Sequence, residues 1–145
     1  MAVLTDGITA TSVLATGVIA HNGTTYDRQR NNTTGAVIAA GTTASNAGVS
    51  VTTYNASKAV IVVSISAFTS GSLTVAISGA TSSGYSYPIL TSTALAAVAV
   101  TPLRIFPGAT ASANAVANDM VPRTIQVVTT VSGTLTYGVD YELSV

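Results

Sequence analysis

The chain has 145 residues, with five Lys or Arg, five Asp or Glu, one His, no Cys and a formal net charge of zero. Charged residues make up 7% of the sequence, against about 25% in an ordinary soluble domain. So few titratable groups argue against most enzyme classes, and the lack of a basic excess argues against a nucleic-acid partner. No apolar run approaches the roughly 20 residues of a membrane-spanning helix.

The N-terminal third is poor in large aliphatic side chains, and we expect residues 1–49 to form an extended arm before a β domain over residues 50–145. Asn22-Gly23 predicts a tight turn at residues 21–23, because both residues tolerate positive φ. The flanking residues 18–20 and 24–26 then form a short hairpin. Residues 33–48 show no clear period, which is typical of a linker or of an extended segment lying on another surface.

From residue 49 the sequence takes on a β pattern. Residues 59–68 are rich in β-branched side chains, and their continuous apolar start predicts a strand covered on both faces. Ser70-Gly71 predicts a turn before a second strand over residues 73–77. Pro88 places the short strand over residues 85–90 at a sheet edge or beside a bulge, because proline donates no ladder hydrogen bond.

The C-terminal part ends in the clearest strands. Residues 94–106 predict a strand in two parts interrupted by Pro102, with a helix over residues 94–100 as the alternative, and residues 109–118 predict a loop or short helix. Residues 124–131 and 135–145 alternate strictly and predict a hairpin through Ser132-Gly133 with one buried face. Short strands separated by turn signals favour an all-β fold, an antiparallel β-sandwich or jelly-roll-like domain.

Candidate catalytic groups are few. His21 is the only imidazole, and we interpret it as a polar turn residue rather than a general base or a metal ligand. Asp140 and Glu142 are the only close pair of carboxylates, and we interpret them as solvating the outward sheet face, with a glycosidase pair and a calcium site as alternatives. No catalytic residue, metal site or cofactor is expected, and a hydrolase is the least favoured function.

Tyrosines suggest one further kind of site. Their rings could form a platform for a sugar, although tyrosines in strands more often fill a core or an interface. The four candidates are Tyr85, Tyr87, Tyr137 and Tyr141.

The densest group of charges is Tyr26-Asp27-Arg28-Gln29-Arg30. It is either an exposed strand end in which Asp27 pairs with one arginine, or an anchor that locks the arm onto a neighbouring subunit. Arginine suits the second role, because its planar guanidinium binds carboxylates in two places and stacks on aromatic rings. The predicted interface residues are Tyr26, Asp27, Arg28 and Arg30.

Three segments resemble a group of tailed-bacteriophage virion proteins. These segments are N-G-T-T-Y-D-R-Q-R-N-N at residues 22–32, Y-N-A-S-K-A-V-I-V at residues 54–62 and V-P-R-T at residues 121–124. In that group an N-G-T-x-[WY]-D-R-x-R segment precedes a β-rich domain, and the similarity runs from about residue 17 to the end. The first segment is the most specific. This chain is shorter between its strands and poorer in charge than the group.

The resemblance implies a structural role without catalysis, in a virion assembled in the host cytoplasm. The expected function is that of a capsid decoration (cement) protein that forms a homo-oligomer, most simply a homotrimer, and contacts the major capsid protein or other virion proteins. The alternative is a fibre or tail module that binds a host-surface glycan through its tyrosines. Neither nucleic acid nor a membrane is an expected partner.

Overall fold

The computed structural model describes residues 19–21, 26–28, 32–43 and 46–145, and all their regular structure is β. The two shortest N-terminal strands, β1 (Ile19–His21) and β2 (Tyr26–Arg28), pair antiparallel with His21 opposite Tyr26. The predicted hairpin is therefore present, but its strands start one or two residues later than expected. His21 consequently belongs to a strand and not to the turn, and the predicted turn residues Asn22 and Gly23 lie outside the described residues.

Seven further strands form one hydrogen-bonded sheet. They are β3 (Thr33–Thr43), β4 (Ala47–Thr52), β5 (Lys58–Ala80), β6 (Ser86–Thr91), β7 (Ala99–Ile105), β8 (Val116–Ala117) and β9 (Thr124–Ser144). The two longest, β5 and β9, lie at the centre and pair antiparallel along almost their whole length. β3 and β4 flank β9, β6 and β7 flank β5, and β8 adds to β7 in parallel.

The central strands bend back on themselves. β9 has 21 residues, and Thr129 and Tyr137 would lie about 26 Å apart along a straight strand. Their hydroxyl oxygens are 3.0 Å apart, and both side chains are fully buried. In β5, the buried positions run from Ala59 to Ile65 and again from Leu73 to Gly79, while most residues between these stretches are exposed. The sheet therefore folds over into two layers.

We call the two halves of the folded sheet layer A and layer B. Layer A contains β3, β7, β8, the first half of β5 and the second half of β9; layer B contains β4, β6 and the other halves of β5 and β9. The alternating aliphatic side chains of both layers meet in one core, as the sequence predicted for an all-β, sandwich-like domain. Its fully buried members include Ile61, Val63, Leu73, Val75, Ile77, Leu103, Ile105, Ile125, Val127, Leu135, Tyr137 and Val139.

Paired glycines form the bend. Gly71 in β5 lies opposite Gly133 in β9, with φ angles of +90° and +84°. A Cβ atom on Gly71 would overlap the carbonyl oxygen of Ser132, so the two backbones are in direct contact. The predicted turns at these glycines, and the C-terminal hairpin, are therefore wrong. Residues 135–144 pair with β5 and not with residues 124–131. The positive φ angles of Gly71 and Gly133 bend the paired strands β5 and β9 and do not close a loop between two strands.

The sheet also begins earlier in the chain than expected. Residues 33–43, predicted as a linker or a surface-lying segment, form the edge strand β3 on β9, and β4 begins at Ala47. The sequence of β3 does not show the alternation of a regular strand, because its register against β9 shifts twice, between Ala36 and Ile38 and between Ile38 and Thr42. Such bulges break the two-residue period of a regular strand.

Two prolines lie at free edges of the sheet, Pro88 in the edge strand β6 and Pro102 in the part of β7 that β8 does not cover. Pro88 is in β6, beside a register shift opposite Ile77 and Ser78, which confirms the predicted edge or bulge. Pro102 lies inside a continuous β7, so the predicted interruption and the alternative helix are both absent there. Two residues after Pro102, the backbone N–H of Arg104 points away from β5 and donates a hydrogen bond to the carbonyl oxygen of Ala115. Residues two apart in a strand direct their backbone N–H groups to the same side, so the N–H that Pro102 lacks would have pointed to the free edge of the sheet and not to β5.

The glycine bend generates a first prediction. We expect Gly71→Ala to lower the free energy of unfolding by about 3–4 kcal/mol, because the new methyl group meets backbone in a conformation that already disfavours it. Gly84→Ala is the matched control, since Gly84 also has positive φ (+82°) but has no atom within 4 Å of its Cβ position. It should lose about 1–2 kcal/mol. Urea unfolding measures both, and equal losses would contradict the role of the contact.

The hydroxyl pair in the core generates a second prediction. Thr129 also accepts a hydrogen bond from the Ala47 N–H at 3.1 Å, so this pair ties the two layers to the edge strand β4. Tyr137→Phe should cost about 1–2 kcal/mol, because it removes a buried hydrogen-bonding group. Tyr85→Phe, at a side chain that is 76% exposed, should leave the unfolding midpoint unchanged. A Tyr137→Phe protein as stable as the parent would contradict the structural role of this bond.

Candidate functional site

The outer faces of the two layers carry different side chains. Layer B presents small and uncharged residues, and its strand register places Val128 at the centre between Gly48 and Ala76. Val128 is 41% exposed. The neighbouring outer residues of this face are Ser50, Thr52, Thr74, Ser78, Thr124, Gln126 and Thr130. Layer B is therefore an uncharged sheet surface with one apolar side chain in its middle.

Layer A carries four exposed charges on its outer face. The strand register aligns Thr34, Glu142, Val60 and Arg104 in one row across β3, β9, β5 and β7. Since neighbouring strands lie about 4.8 Å apart, the backbones of Glu142 and Arg104 are about 10 Å apart with Val60 between them. The next row contains Ala36, Asp140, Val62 and Pro102.

A shallow groove of about 430 Å³ lies over the first row. Val60 lies between its two charged sides, and Lys58 and Phe106 also line it. Lys58, Arg104, Asp140 and Glu142 form no ion pair with one another. Sequence reasoning identified the two acids as outward-facing, which the structure confirms, but it missed both bases. They are distant in sequence, and only the pairing register brings them to the acids.

The acid pair offers two carboxylates on adjacent outward positions of β9. Among the residues that the structure describes, no group of three or more His, Cys, Asp or Glu side chains could hold a metal ion. Among the described residues, no further acid or His therefore joins Asp140 and Glu142 to complete a calcium site or to add to a glycosidase pair. The solvating role on the outer face stays the favoured interpretation of this pair.

The four candidate tyrosines do not form a common platform. Tyr137 is buried in the core, and the ring of Tyr141 lies over Gly35, where a Cβ atom would be 2.6 Å from the Tyr141 hydroxyl. Tyr87 covers Gly79 in the same way, which shields the backbone of the neighbouring strand. Only Tyr85 is largely exposed and free of such a role. A sugar platform of all four residues is therefore ruled out.

The predicted interface in the arm is described only in part. Tyr26, Asp27 and Arg28 form β2, opposite His21, Ala20 and Ile19, and Arg30 lies outside the described residues. The anchoring role of these four residues stays a prediction.

Comparison with protein-family models, with curated proteins and with solved structures finds no match to this chain. Within the described ranges there is also no helix long and apolar enough to cross a membrane.

Proposed function

We propose that this chain is a non-enzymatic structural protein of a tailed-bacteriophage particle, a capsid decoration protein that stabilises the head by contact with the shell and with its own copies. The observation that carries the proposal is the segment N-G-T-T-Y-D-R-Q-R-N-N at residues 22–32, with its resemblance to virion proteins that also place it before a β-rich domain.

The outer face of layer B supports contact with a protein shell. A surface without charges has no ion to desolvate when it is buried, so its burial is opposed less than that of an ordinary charged surface. Gly48 and Ala76 on either side of Val128 leave this valine as the protruding apolar group. In the proposed particle, Val128 packs against the major capsid protein.

The arm supplies the second contact. Asp27, Arg28 and Arg30 concentrate charge in a chain that has little elsewhere, and arginine is favoured at interfaces with carboxylates and aromatic rings. Anchored on a neighbouring subunit, the arm holds the oligomer together while layer B contacts the shell.

Co-sedimentation with particles tests the shell contact. The purified chain should bind heads that lack it, and Val128→Lys should abolish this binding because the new charge would be buried without a partner. Met120→Lys is the matched control, since Met120 is 74% exposed and lies outside this face. The control should bind like the parent.

Other outcomes of this experiment are informative. Binding to tails or fibres together with binding to a host-surface glycan would replace the proposal with the fibre alternative. Absence of binding to any part of the particle would contradict a virion role.

A separate prediction concerns the arm. We expect Arg28→Ala/Arg30→Ala to shift the full chain from a trimer toward monomers in light scattering, because the anchoring charges are lost. Arg123→Ala removes a base outside the arm and should leave the mass unchanged. A double variant with the mass of the parent would place the assembly contact outside these arginines.

A further inference from the structure

We propose that the outer face of layer A binds the same face of a second copy of this chain, about a two-fold axis that runs along β5. The proposal does not depend on a virion role. It follows from the order of charges across the sheet. In the first row, Glu142 lies one strand to one side of Val60, and Arg104 lies one strand to the other side.

A rotation of 180° about an axis along β5 exchanges the two sides of this row. Glu142 of one copy then faces Arg104 of the other, and the reciprocal pair forms at the same time. A two-fold interface uses one patch twice, so a patch suits it when opposite charges lie at equal distances on either side of the axis. The Glu142–Val60–Arg104 row meets that condition.

The middle of the face is apolar. Val60 and Val62 are half-buried residues of β5. Because the axis runs along β5, each of them meets its own equivalent in the other copy. Packed sheets are separated by about 10 Å, a distance that two facing valine side chains fill. The long Glu142 and Arg104 side chains that border the groove reach each other across the same gap.

The proposal also accounts for an exposed apolar residue. Val100 is 66% exposed and lies in the third row, with Ser64 and Gly138. Ala40 covers the outer side of Gly138, where a Cβ atom would lie 2.9 Å from the Ala40 Cα. The two-fold rotation brings Val100 of one copy against Ala40 of the other, which removes both from water.

The size of the face sets the strength of the contact. Four strands and three rows cover an area of about 20 by 20 Å, or about 400 Å² on each copy. That is about half of the roughly 800 Å² that each partner buries in a standard specific interface, which is the size of a weak, transient contact. The dimer should therefore be weak in dilute solution and well populated only where copies are concentrated, as in an assembly.

Two charges on the face gain nothing from the contact. Asp140 faces Pro102 of the other copy, and Lys58, at the start of β5, lies on the axis and meets its own equivalent. Removing either charge should leave the dimer unchanged or tighten it. These residues separate the proposed geometry from a general attraction between charged surfaces.

Sedimentation velocity of the full chain, over a concentration range up to about 500 µM, tests the proposal. The parent should show a concentration-dependent species with twice the mass of the form present at low concentration. Glu142→Arg and Arg104→Glu should each raise the dimer Kd at least tenfold, because each places like charges opposite one another twice. The double variant, and an equimolar mixture of the two single variants, should regain the parental Kd, since both arrangements restore opposite charges at both contacts.

Controls identify other occupants of the face. Asp140→Asn should not weaken the dimer, and Asp119→Arg, outside the face, should not change it. If the arginines of the arm bound this face instead, Asp140→Asn would weaken association and the mixture would not restore it. That result would overturn the proposal, as would a parent whose mass does not change with concentration or single variants that associate like the parent. Equal melting temperatures show that the variants are folded.

Discussion

The close contact between β5 and β9 at Gly71 and Gly133 is the constraint on which the rest of the structure depends. Because neither residue has a side chain, the two backbones approach closely and both turn with positive φ. The long central ribbon therefore folds onto itself, and one set of alternating aliphatic residues forms both walls of the core. Tyr137 and Thr129 then meet across the fold, and their buried hydroxyls are hydrogen-bonded to each other.

The same bend decides where the few charges lie. The inward positions of β9 alternate with the positions of Asp140 and Glu142 and are mostly taken by aliphatic residues, so the two acids face outward in layer A. Lys58 and Arg104 join them through the register of β5 and β7, while the outer face of layer B has no charge. One sandwich thus presents two chemically different surfaces. An uncharged surface suits permanent burial, whereas a surface with balanced charges suits an orientation-specific and reversible contact.

The edges of the sheet favour association through faces. Pro102 deprives the free edge of β7 of a hydrogen-bond donor, and Pro88 lies in the edge strand β6. On the opposite side, β3 is interrupted by two register shifts. Prolines and bulges on edge strands discourage the addition of strands from other molecules. A near-neutral chain that is rich in β-forming residues needs such protection against aggregation.

The sequence by itself determined the fold class, the inward and outward sides of residues 124–131 and 135–144, and the edge position of Pro88, because alternation and proline geometry are local properties. It indicated two outward acids but neither of the bases beside them. Only the tertiary structure decided that Gly71 and Gly133 bend a ribbon instead of ending a strand, that residues 33–43 belong to the sheet, and that Lys58 and Arg104 share a face with the two acids. The reason is that positive φ is common to turns and bends, whereas the partner of a strand is chosen by residues far away in the chain.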